Sequence, residues 1–331
     1  MPSLLKFSPE VAMRRFSFVA LLCSLIAATG CGGSSSGPAT IPTYVPPTNG
    51  PFVYVTDGGA FVLQILQSQN GAINPSSSIN GPNTQLQGAA GIARDTAGNI
   101  YVASQNQILV FPPALAGNVS PQSIVSGAST GLSSPRGVAI DAQGRLIVTN
   151  TASNTVTVYA AGANGNATPV VTIAGAATGL SAPAGVAVDA AGNIYVVNET
   201  GTIAVFAAGA SGNVAPARTI SGPATGLNVP SGITLDASGN LYVANANGNS
   251  ITEYAAGSSG NVAPAVTIAG STTLLAQPQG LVIGTGGDLF VTNFSVPHVP
   301  GLITVYAPGA AGNVAPLQSI TNMIGPIGIS L

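Results

Sequence analysis

The sequence predicts an all-β fold, a six-bladed β-propeller of four-stranded antiparallel blades, closed by pairing of the C-terminal strand with the N-terminal blade. Three observations carry this prediction. Two short landmarks each recur six times, the first of them at spacings of 46 to 48 residues. Each interval between copies reads as four strands. The incomplete units at the two ends of the array each supply what the other lacks.

The first landmark is Pro-x-Gly followed by alternating apolar residues. It stands at Pro135–Gly137, Pro183–Gly185, Pro230–Gly232, Pro278–Gly280 and Pro326–Gly328, with a degenerate copy at Ala89–Gly91. The second is Gly-Asn-x-x-Pro, at Gly117–Pro121, Gly165–Pro169, Gly212–Pro216, Gly260–Pro264 and Gly312–Pro316, with a degenerate Gly71–Pro75. Self-similarity on such a period is the mark of a repeat architecture.

One unit shows the strands. Gly185 to Val188 alternates as a first strand, and Asp189-Ala-Ala-Gly192 turns it. Aspartate accepts a backbone hydrogen bond within such a turn, and glycine supplies the left-handed conformation. Asn193 to Val197 is a near-continuous apolar run, read as a second strand buried on both faces. Thr202 to Ala207 is the third and Pro216 to Ile220 the fourth. Four strands in about 47 residues make a propeller blade. Small residues on the first strand fit the place where blades converge on the axis.

The first unit, from Phe52 to Asn80, has a second, third and fourth strand but no Pro-x-Gly strand before them. The last, Pro326 to Leu331, has only that strand. Pairing the fragments closes the ring and leaves no open sheet edge.

The run from Pro183 to Asn198, PAGVAVDAAGNIYVVN, resembles the NHL repeat, and the resemblance extends from Phe52 to Leu331. It implies the propeller fold. It does not fix an activity, because such propellers include lyases, lactonases, sensor domains and protein-binding scaffolds. The multi-histidine zinc site of amidating lyases with this fold has no counterpart in a chain with one histidine. Gluconolactonase-like propellers hold a divalent ion near the channel with Glu, Asp and Asn. The first strands here are almost wholly apolar, so no metal and no cofactor are expected.

Residues 1–30 read as a lipoprotein signal peptide. Arg14 and Arg15 precede an apolar stretch from Phe16 to Ala28, followed by Ala28-Thr29-Gly30-Cys31. The ending resembles a bacterial lipobox, which implies lipidation of Cys31. Met13 is an alternative start. Cys23 falls within the removed segment, leaving one cysteine and no intramolecular disulfide. Residues 31–50 form a flexible linker with an r.m.s. reach of about 25 Å. Residues 51–331 are the propeller.

Only 5% of residues are charged, against about 25% in ordinary soluble domains. After the signal, four arginines stand against eight acids, a formal charge of −4 with no lysine. That excludes nucleic acid, whose phosphates require a basic surface, and a basic membrane-binding patch. A monomer is expected.

The repeats serve as internal controls: a residue present in every blade is architectural, and one that breaks the pattern is a site candidate. Asp95, Asp141, Asp189 and Asp236 share one turn position and read as turn caps. Asn150, Asn198, Asn245 and Asn293 end the second strands, with Asp57 and Ser104 in the equivalent places, and read as bonding loop backbone. Gly127-Ala-Ser129-Thr-Gly131 matches the serine-hydrolase pattern, but the next copies carry Ala177 and Ala224 in place of the serine. The deviating residues are Arg136, Glu199, His298, Asp57 and Glu253. Arg136 is expected near the channel mouth, and Glu199 and His298 in loops of the same face. Arg136, Glu199, His298 and Asp57 are therefore the candidate ligand-binding residues. Glu253, in place of the valine of its neighbours, is expected to be partly exposed or hydrogen-bonded.

The function expected is a non-enzymatic cell-envelope binding scaffold. It would be anchored in the membrane by its lipid and present one propeller face to a protein, peptide or glycan. The alternatives are a lyase or lactonase-type enzyme using Glu199 or His298 as base, and a purely structural envelope lipoprotein.

Overall fold

A computed structural model describes residues 51–113, 117–294 and 300–331. Residues 1–50, read from sequence as signal peptide, Cys31 and linker, fall outside them, as does His298. Among the described residues no helix is long and apolar enough to cross a membrane.

The strands form six sheets, antiparallel except for one short parallel pair between blades 6 and 1. The fourth blade is representative, with strands Pro183–Val188, Ile194–Asn198, Thr202–Phe206 and Arg218–Ser221. The first strand begins at the proline itself, and the fourth begins two residues later than the apolar pattern suggests, where Arg218 comes into register with Val205. Blades 2, 3, 5 and 6 repeat this arrangement, beginning at Ala89, Pro135, Pro230 and Pro278.

Blade 1 is closed as the sequence predicts. Its strand order places Pro326–Ser330 beside Phe52–Asp57, followed by Phe61–Leu66 and Ser77–Ile79. The register sets Tyr54 opposite Ser330 and Val55 opposite Ile329. The innermost strands touch in series around the axis, and Pro326–Ser330 contacts both Pro278–Ile283 and Ala89–Arg94. The ring is complete.

The hydrophobic core lies between blades rather than within one centre. Each of six buried clusters joins two neighbours. One of them packs Val53, Val55 and Ile65 of blade 1 against Phe290, Ile303 and Val305 of blade 6. The near-continuous apolar second strands follow from this, because both of their faces meet a neighbouring blade.

The Gly-Asn landmark stitches blade to blade. Gly117, Gly165, Gly212, Gly260 and Gly312 each bridge in parallel to the outer strand of the preceding blade. The sixth junction has its counterpart in a short strand, Gly71–Ala72, paired with Ile320 and Thr321. The asparagine that follows accepts a backbone N–H across the same junction, as Asn213 does from Ala177 at 2.8 Å.

At the axis, the landmark glycines are fixed by space. A Cβ on Gly91 would lie 2.2 Å from the Arg136 carbonyl oxygen, and one on Gly232 would lie 2.2 Å from that of Gln279. The equivalent approach at Gly137, Gly185, Gly280 and Gly328 is 2.4 to 2.7 Å. Each glycine seats its strand directly against the backbone of the next blade. In every blade the pairing of first and second strands slips across the Pro-x-Gly. Such bulges re-aim a side chain away from the regular alternation.

Candidate functional site

The slip places the residue between proline and glycine at one mouth of the central channel. The six blades have Ala90, Arg136, Ala184, Ser231, Gln279 and Ile327 at that position; Ala90, Arg136, Gln279 and Ile327 line the mouth, while Ala184 and Ser231 are buried. The loops joining second to third strands open at the same end of the antiparallel blades. Their first residues, immediately after the Asn position, are Gly58, Gln105, Thr151, Glu199, Ala246 and Phe294. Two concentric sets of variable residues thus surround the channel, each beside a recurrent position of the repeat.

Arg136 spans the opening. Its guanidinium pairs with Glu199 of the adjacent blade and donates to Gln279 Oε1 at 3.3 Å, on the blade opposite in the ring. The arginine and glutamate side chains are 29% and 30% exposed. Burial pulls the guanidinium below its ordinary value, yet an arginine remains a cation at any physiological pH. Above it the mouth opens into a cavity of about 490 Å³, lined by Ala90, Pro135, Gln279, Phe294 and Ile327 among others. Below it the channel narrows to about 80 Å³ between the glycine-bearing strands.

Two of the four candidate residues meet here, Arg136 and Glu199. His298 lies outside the described residues. Asp57 makes its contacts elsewhere: it is 4% exposed, and its two oxygens accept from the amides of Ile324 and Gly325 at 3.2 and 2.7 Å. In blades 3 to 6 an asparagine does half of this work. Asn150, Asn198, Asn245 and Asn293 each accept a loop amide at 3.0 to 3.1 Å. Asp57 breaks the pattern in charge but keeps its role.

Gln279 and Phe294 were missed as site residues. Phe294 is 37% exposed and borders the mouth. Gln279 was recognisable, since it occupies the position that singled out Arg136. Phe294 would have emerged from aligning the residue after each Asn.

The turn aspartates are caps. Asp189 Oδ1 accepts from the Asn193 amide at 2.8 Å, and its Oδ2 accepts from Asn193 Nδ2 at 2.7 Å and from the Tyr195 hydroxyl at 3.0 Å. Burial raises the Asp189 carboxyl, but these bonds together hold it below its ordinary value. Ser129 is bonded through its amide and hydroxyl to Asn166 in an exposed turn, with no strand-to-helix elbow. Among the described residues no group of three or more His, Cys, Asp and Glu is placed to hold a metal ion.

The NHL repeat family matches residues 132–159, the first three strands of blade 3. No curated protein matches the chain. Among solved structures, a protein of unknown function from Bacteroides caccae superposes with a TM-score of 0.61 at 10% identity, covering 85% of this chain and 98% of that one. The WD40 β-propeller domain of Doa1 gives 0.54 at 11% identity, covering 83% of each. A streptogramin B lyase gives 0.48 at 15% identity, covering 78% of this chain and 74% of that one. Such identities speak to fold alone. With its ring closed, this chain is a six-bladed β-propeller whose third blade matches the NHL repeat.

Proposed function

We propose that the chain is a non-enzymatic binding scaffold whose channel mouth receives a protein, peptide or glycan. The observation that supports this is the reach of Arg136 across the ring, to Glu199 on one side and Gln279 on the other. A guanidinium is a fixed cation with five donors in a planar fork, suited to holding carboxylate or carbonyl groups and unsuited to passing protons near neutral pH. Glu199 is engaged by that guanidinium rather than free to act as a base. Phe294 adds an exposed aromatic face beside it. Arginine and aromatic residues are the types that dominate binding hot spots. The same reading holds the chain at the bacterial cell envelope through a lipid on Cys31, with residues 31–50 as the tether.

The test is capture of partners from envelope extract by the chain, compared with Arg136→Ala and Phe294→Ala. Each variant is expected to bind the captured partner at least tenfold more weakly, in the range of hot-spot truncations. A chelator-sensitive turnover found in a metal-supplemented substrate screen would replace this reading with the enzymatic one.

A further inference from the structure

The opposite face of the ring carries a second cleft. It lies between blades 5 and 6, among the turns joining first to second strands, and has a volume of about 410 Å³. Blade 5 contributes Asp236, Tyr242 and Glu253, and blade 6 contributes Gly284, Thr285 and Gly309.

The repeat shows what belongs in such a cleft. The tyrosine position is filled in blades 1 to 6 by Tyr54, Tyr101, Ile147, Tyr195, Tyr242 and Phe290. Two of these rings are covered by an arginine of the chain itself. Arg94, from the blade that follows, places its Cζ 4.1 Å from the Tyr54 ring centroid. Arg218, from the outer strand of the same blade, sits 5.9 Å from the Tyr195 centroid and donates to its hydroxyl at 3.3 Å. A Cβ on Gly257, the counterpart of Gly309, would be 4.0 Å from Arg218 Nη1. Arg218 therefore occupies, one blade earlier, the space that is open beside Tyr242. A third arginine, Arg145, bonds Asp141 at 2.6 Å, and the equivalent cleft there has shrunk to about 20 Å³.

The cleft beside Tyr242 has lost its arginine at both source positions. Ile283 stands where blade 2 has Arg94, and Val266 where blade 4 has Arg218. It has also gained an acid. Glu253, directly across from Tyr242 in the sheet, replaces the valine of Val110, Val158, Val205 and Val305. The surroundings are strongly electronegative: burial, then the charges of Glu253 and Asp236, push the Tyr242 hydroxyl up to about 12.

We infer that the cleft between blades 5 and 6 binds an arginine side chain of a peptide or protein partner. The guanidinium stacks on Tyr242, as Arg94 and Arg218 do from within the chain at the corresponding tyrosines, and pairs with Glu253 and Asp236, as Arg145 pairs with Asp141. The site lies on the face away from Arg136, so it stands or falls independently of the scaffold reading.

The probe is N-acetyl-arginine amide, titrated into the full chain by calorimetry, with the neutral isostere N-acetyl-citrulline amide as control. The arginine compound is expected to bind at least tenfold more tightly. Free arginine, whose own carboxylate would face Asp236 and Glu253, is expected to bind more weakly than the amide. Glu253→Val restores the residue found in four other blades and should reduce affinity tenfold or more. Val266→Arg should fill the cleft from within and abolish binding without lowering the melting temperature. Equal binding of the arginine and citrulline amides, tighter binding of free arginine, or unchanged affinity in both folded variants would overturn the assignment.

Discussion

Two neighbouring positions of the same strand have opposite histories. The landmark glycine is present in all six blades, whereas the residue before it takes five identities, among them Arg136 and Gln279. The difference is space. The glycine meets the backbone carbonyl of the next blade at a distance no Cβ can occupy. One residue earlier the bulge frees Arg136, Gln279 and Ile327 to line the mouth, while Ala184 is buried between blades and Ser231 bonds the backbone of the next blade. In a ring of repeats, architecture and recognition can be adjacent in sequence because they point in different directions.

The largest effect expected from breaking this contrast is at the wall. Gly232→Ala would drive a Cβ against the Gln279 carbonyl oxygen and should cost about 3 kcal/mol or more, read from urea unfolding. A cost below about 1 kcal/mol would mean that the blades slide apart easily. The next effect is at Asp57, which resembles a site residue in sequence and a structural one in place. Asp57→Ala leaves the amides of Ile324 and Gly325 without their acceptor and should cost about 2 kcal/mol, whereas Asp57→Asn keeps one acceptor oxygen and should cost about half as much. Equal losses for the two variants would show that the charge itself matters.

Acid should act on the turns. Asp95 and Asp189 are raised by burial but lowered further by hydrogen bonds from Asn99 and Tyr101, and from Asn193 and Tyr195, so each stands below its ordinary value. A carboxylate so held stabilises the fold above its unfolded value of about 3.9, and the contribution is lost as pH falls through the lowered one. Asp189→Asn should therefore flatten the acid limb of a stability-against-pH curve. The smallest change in stability belongs to Arg136→Ala. Its ion pair is partly solvated and its neighbours are not built around it, so a loss under about 1 kcal/mol is expected, in contrast with its effect on partner capture.

The ring was legible because the spacing of Pro-x-Gly is a direct copy of the distance around one blade. Closure was legible because two fragments were each missing what the other had. The Arg136–Glu199 pair followed from loop topology. Asp57 stood out from a row of asparagines by its negative charge, and both of its oxygens accept backbone amides where each asparagine accepts one. Gln279 and Phe294 carry no charge and gave no such alarm. The clefts on the far face were hidden for a deeper reason. Arg94, Arg145 and Arg218 come from the end of a first strand, a turn and a fourth strand respectively, so no shared repeat position links them. Only the packing of blade against blade shows that all three occupy corresponding clefts.

The seam in blade 1 has a topological consequence. Because Ser330 pairs with Tyr54, Leu331 and Phe52 are neighbours at the end of a hairpin that other blades join with a five-residue turn such as Asp189–Asn193. With residues 1–51 removed, a turn of that kind would make the polypeptide circular without moving a strand. The circle could then be cut in any loop between blades, and the permuted chain would trace the same ring from a new origin.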